Sequence, residues 1–147
     1  MRWRDVVLRE NHTLADSGTT ILDINIVDPI TALFIKIENQ NGATSCQNVR
    51  PHEDIDKIEL VDGSEVIFSM SMLEAMALNF YETGRLPYFK WDEGAAAAQY
   101  DTCLLLFGRY LGDKLLYLDP KKYKNLQLKI THSFTISGTA GFEATPG

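Results

Sequence analysis

The segment from Leu126 to Ile136 constrains this chain more than any other. Leu126, Leu128, Ile130, His132, Phe134 and Ile136 alternate without a break with Gln127, Lys129, Thr131, Ser133 and Thr135. Successive side chains of a strand point to opposite faces, so this spacing gathers the mainly apolar set on one face. A helix would scatter the same residues around its axis. The segment is expected to be a strand with one face on a core and one in water, as in antiparallel sheets.

The same period recurs. Leu22, Ile24 and Ile26 alternate with Asp23 and Asn25 until Asp28-Pro29, where proline offers no donor to a ladder. Leu33, Ile35 and Ile37 alternate with Phe34, Lys36 and Glu38, and Asn39-Gln40-Asn41-Gly42 supplies turn residues. Lys57 to Leu60 and Glu65 to Phe68 flank Val61-Asp62-Gly63-Ser64, whose Asp-Gly provides the positive φ angles of a tight hairpin. Thr102 to Phe107 is a nearly continuous apolar run, suited to a strand covered on both faces, and Lys114 to Leu118 is a further short strand candidate. A polar stretch from Ala43 to Asp56 has no clear period.

One helix is expected over about 71–82. Ser71 and Glu74 form a capping box, and Leu73, Met76, Ala77 and Phe80 fall on one stripe at helical spacing. Gly84 ends it and Pro87 reinforces the stop. Leu86 to Gln99 reads as a long loop carrying Tyr88, Phe89, Trp91 and the alanine run Ala95 to Ala98. Seven or eight short strands with one helix make the chain all-β, an antiparallel β-sandwich with Greek-key connections. The organisation expected is an arm over residues 1–17, a sandwich domain over 18–137, and a tail or linker over 138–147. A chain of 147 residues buries enough surface for a core without metal or disulfide staples.

The arm mixes Arg2, Arg4 and Arg9 with Trp3, Val6, Val7 and Leu8. It lacks the sustained apolar stretch of a signal peptide. It reads as a frayed terminus, or as a segment that docks on a neighbouring subunit or on lipid with Trp3 at the interface. The net charge of −6, from 14 basic and 20 acidic residues, disfavours binding to phosphate backbones.

Constellations for chemistry are weak. No nucleotide-binding glycine motif, zinc-protease motif or nucleophile elbow is present. His52, Glu53, Asp54 and Asp56 place a nitrogen and three carboxylates within five residues, the best metal candidate, but they lack the spacing and glycine of a calcium loop. A solvated acidic turn is the competing reading. His132, on the apolar face of its strand, reads as a hydrogen-bonded structural histidine. Cys103, beside Leu104 to Leu106, has the apolar surroundings that keep a thiol unreactive, and Glu74 and Glu82 lie too far apart on the helix to suggest a cleft. Cys46 and Cys103 are two small buried thiols or one bridge. No enzyme activity and no cofactor are expected from these residues. Tyr88, Phe89 and Trp91 are expected at a subunit contact, since aromatic residues are enriched in interface cores.

The order of features resembles the N-terminal jelly roll of corticovirus-type double jelly-roll major capsid proteins, from tailless, membrane-containing icosahedral DNA viruses. The residues that carry the likeness are Gly18 to Ile24 after the basic-aromatic arm, the hairpin Ile55 to Phe68 and the helix Ser71 to Tyr81. Leu118-Asp119-Pro120 and then Tyr123 to Ile130 complete it. The resemblance implies an antiparallel jelly roll, a homotrimer within an icosahedral shell, other capsid proteins as partners, and an arm that reaches neighbours or an internal viral membrane. It implies a virion protein made in the host cytoplasm, with no specific nucleic acid bound. The family has two successive jelly rolls, and this chain has length for one; the second either follows Gly147 or is a separate chain. A carbohydrate-binding or adhesion module, with the same aromatics stacking on sugars, is the alternative function.

Overall fold

A computed structural model describes residues 4–46 and 48–144. It contains strands β1 (Ser17–Asp23), β2 (Ala32–Gln40), β3 (Ile55–Asp62), β4 (Glu65–Met70), β5 (Phe89–Lys90), β6 (Ala98–Leu106) and β7 (Leu126–Ser133), with one helix, α1 (Met72–Thr83). They form a four-stranded sheet in the order β1-β7-β3-β4 and a three-stranded sheet in the order β2-β6-β5. Every strand pair is antiparallel. The first strand pairs with the last and the second with the next to last, the nested winding of a jelly roll. The fold is an all-β antiparallel sandwich with one short helix.

Alternation explains the core. Leu22, Leu128, Leu60 and Phe68 stand opposite one another across the four strands of the larger sheet, and Thr20, Ile130, Ile58 and Met70 form the next row. On the smaller sheet Leu33 faces Leu105 and Ile35 faces Cys103. These residues share one apolar cluster, except Thr20. Phe34, Lys36 and Glu38 point outward as their positions predict. The strand expected to reach Ile136 ends at Ser133, and Lys114 to Leu118 forms no strand; Leu118 makes a single bridge to Ile30.

Local chemistry fixes the joins. Gly63 has φ 61° at the β3–β4 turn, while Asp62 stays in the strand. The Asp62 carboxylate accepts from the Lys124 and Asn125 amides at 3.1 and 2.7 Å, so only the glycine supplies the positive φ expected of the pair. Ser71 caps α1: its hydroxyl accepts from the Glu74 amide at 3.2 Å, and the Glu74 carboxylate accepts from the Ser71 amide at 2.8 Å. Gly84 ends the helix at φ 69°. The stripe assigned to the core from sequence is wrong in part. Met72, Ala75, Met76 and Asn79 are buried, whereas Leu73 and Phe80 are 59% and 42% exposed. The helix is apolar on two sides, and α1 packs against β6, β3 and a 3-10 turn at Pro51–Asp54 with the side that carries Met72, Ala75 and Met76.

Described residues at both ends of the chain make contacts with the sandwich. Within the arm, Arg4 pairs with Asp28 at 2.9 Å, Leu8 packs on the core, and the carbonyl of Ala15 lies 2.9 Å from His132 Nε2. Arg2 and Trp3 lie outside the described residues. The tail folds back on the domain. Phe142 is 1% exposed in a small cluster with Cys46 and Val49, and the Glu143 amide donates to Gln40 at 2.8 Å. Cys46 and Cys103 are separate free thiols, each buried; burial pushes Cys103 up to about 12 and raises Cys46.

The connection from Phe107 to Tyr117 is braced from inside. Asp113 is buried and accepts from the Leu115 amide at 2.9 Å, from the Arg109 amide at 3.2 Å and from Arg109 Nε at 3.0 Å. Gly108 allows the close approach, because a Cβ there would sit 2.6 Å from Asp113 Cβ. Tyr110, Leu111, Leu115, Leu116 and Tyr117 are left exposed around this anchor.

Two predictions follow from these packings. Phe142→Ala should cost about 3–5 kcal/mol in urea unfolding, the range for removing a buried aromatic side chain. A loss below about 1 kcal/mol would mean that the C-terminal segment is not docked. The Leu115 amide and the Arg109 side chain hold the Asp113 carboxyl below its ordinary 3.8, at about 2. A depressed acid stabilises the fold above its unfolded value and loses that contribution as pH falls through the folded one. The protection of the Leu115 amide, its exchange relative to an unstructured chain at the same pH, should therefore hold above pH 3.8 and fall as pH drops toward 2; constant protection across that window would refute the anchor.

Candidate functional site

Asp101 is the buried polar residue that organises the floor of an apolar groove. It stands opposite Ile37 on the inner face of β6 and is fully buried. A buried carboxylate needs donors, since burial without hydrogen bonds costs several kcal/mol. Here three arrive. The His52 amide donates to Oδ2 at 2.9 Å, His52 Nδ1 to the same oxygen at 2.8 Å, and Trp91 Nε1 to Oδ1 at 2.8 Å. The carboxylate thus ties β6 to the 3-10 turn and to the segment after β5.

The sequence places His52 where it can do this. Pro51 opens the turn with its fixed φ, and the Glu53 carboxylate accepts from the Arg50 amide at 2.7 Å. Beneath Trp91, Gln99 Nε2 donates to Asn41 Oδ1 at 2.8 Å, and Asn41 Nδ2 donates to the carbonyls of Asp92 and Gly94. Arg50 reaches Gln99 and Glu93, and its guanidinium lies 5.6 Å from the Trp91 ring. This polar web gives the stretch read as a loop a fixed course and a two-residue edge strand.

The groove lies above the web, between α1 and the β5 edge. Its volume is about 290 Å³, and His52, Leu73, Met76, Ala77, Phe80, Tyr81, Leu86, Pro87, Phe89 and Trp91 line it. Phe89 and Trp91 are 4.4 Å apart between ring centroids, and Trp91 and His52 are 5.7 Å apart. With Nδ1 donated to Asp101, His52 keeps Nε2 for the groove; its side chain is 11% exposed. Such an imidazole can accept one hydrogen bond. The lining holds no serine, threonine, cysteine, carboxylate or amine beside it. A second groove of about 330 Å³, between Ile24–Val27 and Pro120–Leu126, carries Lys121 and Lys124 and no histidine or carboxylate.

The structure separates the four candidate metal ligands. His52 turns to Asp101. Asp54 accepts from the Thr135 amide and hydroxyl at 2.6 and 3.0 Å, and burial raises its carboxyl. Glu53 caps the turn and Asp56 is exposed. The turn is neither a cage nor a solvated acidic loop, because His52 is tethered to β6 and Asp54 to the segment that follows β7. Among the described residues no group of three or more histidine, cysteine or acidic side chains converges on a point. Tyr88 is 81% exposed, while Phe89 and Trp91 form one wall of the groove.

Asp101 escaped the sequence reading because its partners lie 49 and 10 residues away. One signal was present. Extending the alternation back from Leu105 and Cys103 puts Asp101 and Gln99 on the core face, and inward polar residues demand partners. No helix among the described residues is long and apolar enough to cross a membrane. No family model matches the chain, and no curated protein and no solved structure matches it either.

Asp101→Ala strips the acceptor from three donors and should destabilise the chain by at least about 3 kcal/mol in urea, at ~1 kcal/mol or more for each stranded group. Trp91→Phe removes one donor and keeps a ring, so its cost should be about 1 kcal/mol. Equal costs for the two substitutions would show that the carboxylate does not organise the web.

Proposed function

We propose that this chain is a structural subunit that assembles with copies of itself into a capsid-type shell, without catalysis. The observation that carries the reading is where the exposed apolar residues lie. Soluble monomers rarely leave large contiguous apolar patches uncovered, and patches of that kind mark association surfaces. Here they are concentrated on the groove of α1 and β5 and on the braced loop Tyr110 to Tyr117. Both are held by buried polar anchors, Asp101 and Asp113, so their shapes are fixed before any partner arrives. Preorganisation of that kind reduces the ordering cost of association. The nested strand winding suits the resemblance to capsid jelly rolls, and the arm and Tyr88 supply further contact surface.

A carbohydrate-binding role fits less well. A sugar platform needs an open aromatic face, and Trp91 is flanked by Phe89, His52 and Arg50, with its indole N–H already donated to Asp101. Of the three aromatic residues expected to stack on sugars, Tyr88 alone stands well clear of the surface.

Sedimentation of the full chain over a wide concentration range tests the reading. Reversible self-association, with trimers or larger closed species at the top of the range, is the expected result. A species that stays monomeric at every concentration would overturn it.

A further inference from the structure

We propose that the cleft between Ile24–Val27 and Pro120–Leu126 binds a phosphate group, with Lys121 and Lys124 as its counter-charges. This goes beyond the self-assembly reading and does not depend on it. Lys121-Lys122-Tyr123-Lys124 places three lysines in four positions, the densest basic run of the chain. Arg4, Lys36, Arg50, Lys57, Lys90 and Arg109 each pair with an acid. The three lysines of the run make no such pair among the described residues.

The neighbouring carboxylates are committed elsewhere. Asp119 accepts from the Lys121 amide at 3.1 Å, and Asp62 from the Lys124 and Asn125 amides at 3.1 and 2.7 Å. Asp23 accepts from Gln127 Nε2 at 2.6 Å, and Asp28 pairs with Arg4. None of these acids lines the cleft, whose polar side chains are Lys121, Lys124, Asn25, Asn125 and Tyr123. Each of those five can donate a hydrogen bond, and two carry positive charge. The occupant that answers them is an anion with several acceptors. A phosphate has three strong acceptor oxygens pointing in different directions, which suits donors spread over two walls. Lysine binds such a group as a point charge.

The walls are fixed before any ligand arrives. The Ile24 amide donates to the Leu126 carbonyl at 2.9 Å, and both residues are buried beneath the cleft. Its volume of about 330 Å³ falls within the roughly 300–1,000 Å³ of small-ligand clefts, with room for a phosphate and the group that carries it. The net charge of −6 weighs little here, because screening over about 8 Å leaves the nearest charges in control.

Glycerol phosphate is the probe, since it is common to soluble phosphate esters and phospholipid headgroups. Titrated into the full chain at constant ionic strength, it should give saturable amide NMR shifts confined to Asn25 to Val27 and Lys121 to Asn125. Lys121→Gln and Lys124→Gln, both at exposed positions, should keep the wild-type melting temperature. Each should weaken binding about 10-fold, the loss of one charge-assisted hydrogen bond. Lys122→Gln makes the same charge change outside the lining and should leave the affinity within about 2-fold. Equal losses in all three variants would mean unspecific attraction to the basic run and would overturn the proposal. Shifts that never saturate, or that fall elsewhere, would overturn it too. Vesicles of equimolar phosphatidylcholine and phosphatidic acid separate the two sources. Cosedimentation that Lys124→Gln abolishes supports the cleft with a lipid headgroup as its ligand. Saturation by glycerol phosphate without cosedimentation supports it with a soluble ester. If the chain responds to neither probe, the proposal fails.

Discussion

β7 lies between β1 and β3, so its register decides where three strands place their side chains. Rows such as Leu22–Leu128–Leu60–Phe68 exist because Leu128 meets a leucine on each side. A slip of one residue would bring Gln127 or Lys129 inward and turn every leucine of β7 to water. The His132 position extends the same logic to the arm. Its ring is buried on the core face, and Nε2 meets the Ala15 carbonyl, so the chain leading into β1 is set by a side chain on the strand β1 pairs with.

The smaller sheet is built on a different constraint. It has only three strands, one of them two residues long, and its inner face carries Gln99 and Asp101 among the apolar groups. Those polar residues are satisfied by Asn41, Arg50, His52 and Trp91, which come from three separate stretches of chain. The β5 edge is therefore held through side chains rather than by a long ladder. Removing one partner from such a web strands the others, so its stability resides in its completeness.

Much of the sandwich was legible because strand periodicity is local. Leu126 to Ser133, Leu33 to Glu38 and the hairpin at Gly63 each announce themselves within a few residues. So does the cap of Ser71 and Glu74, where donor and acceptor are three positions apart. The face of α1 was not legible in the same way. Leu73, Ala77 and Phe80 make as good a stripe as Met72, Ala75 and Met76, and only tertiary packing decides which one is covered. The site was least legible of all, since an Asp101–His52 pair separated by 49 residues has no local signature. The C-terminal glycines misled for a related reason. Gly141 reads as linker composition, yet a Cβ there would meet the Thr135 carbonyl oxygen at 2.3 Å, so it is glycine because the segment is packed.

The two-sided helix bears on what the surface is for. A helix that serves one core needs a single apolar stripe, and its outward residues are free to be polar. In α1 the outward side keeps Leu73, Ala77 and Phe80, although none of them belongs to the core cluster. The braced loop repeats the arrangement, with its one buried carboxylate spent on holding a frame whose outer residues are tyrosine and leucine. Neither surface contributes to the stability of an isolated copy in proportion to its apolar content. Both are apolar surfaces set on a satisfied carboxylate, Asp101 under one and Asp113 under the other, so the polar groups are consumed within the fold and the outward residues are left to solvent or to a partner.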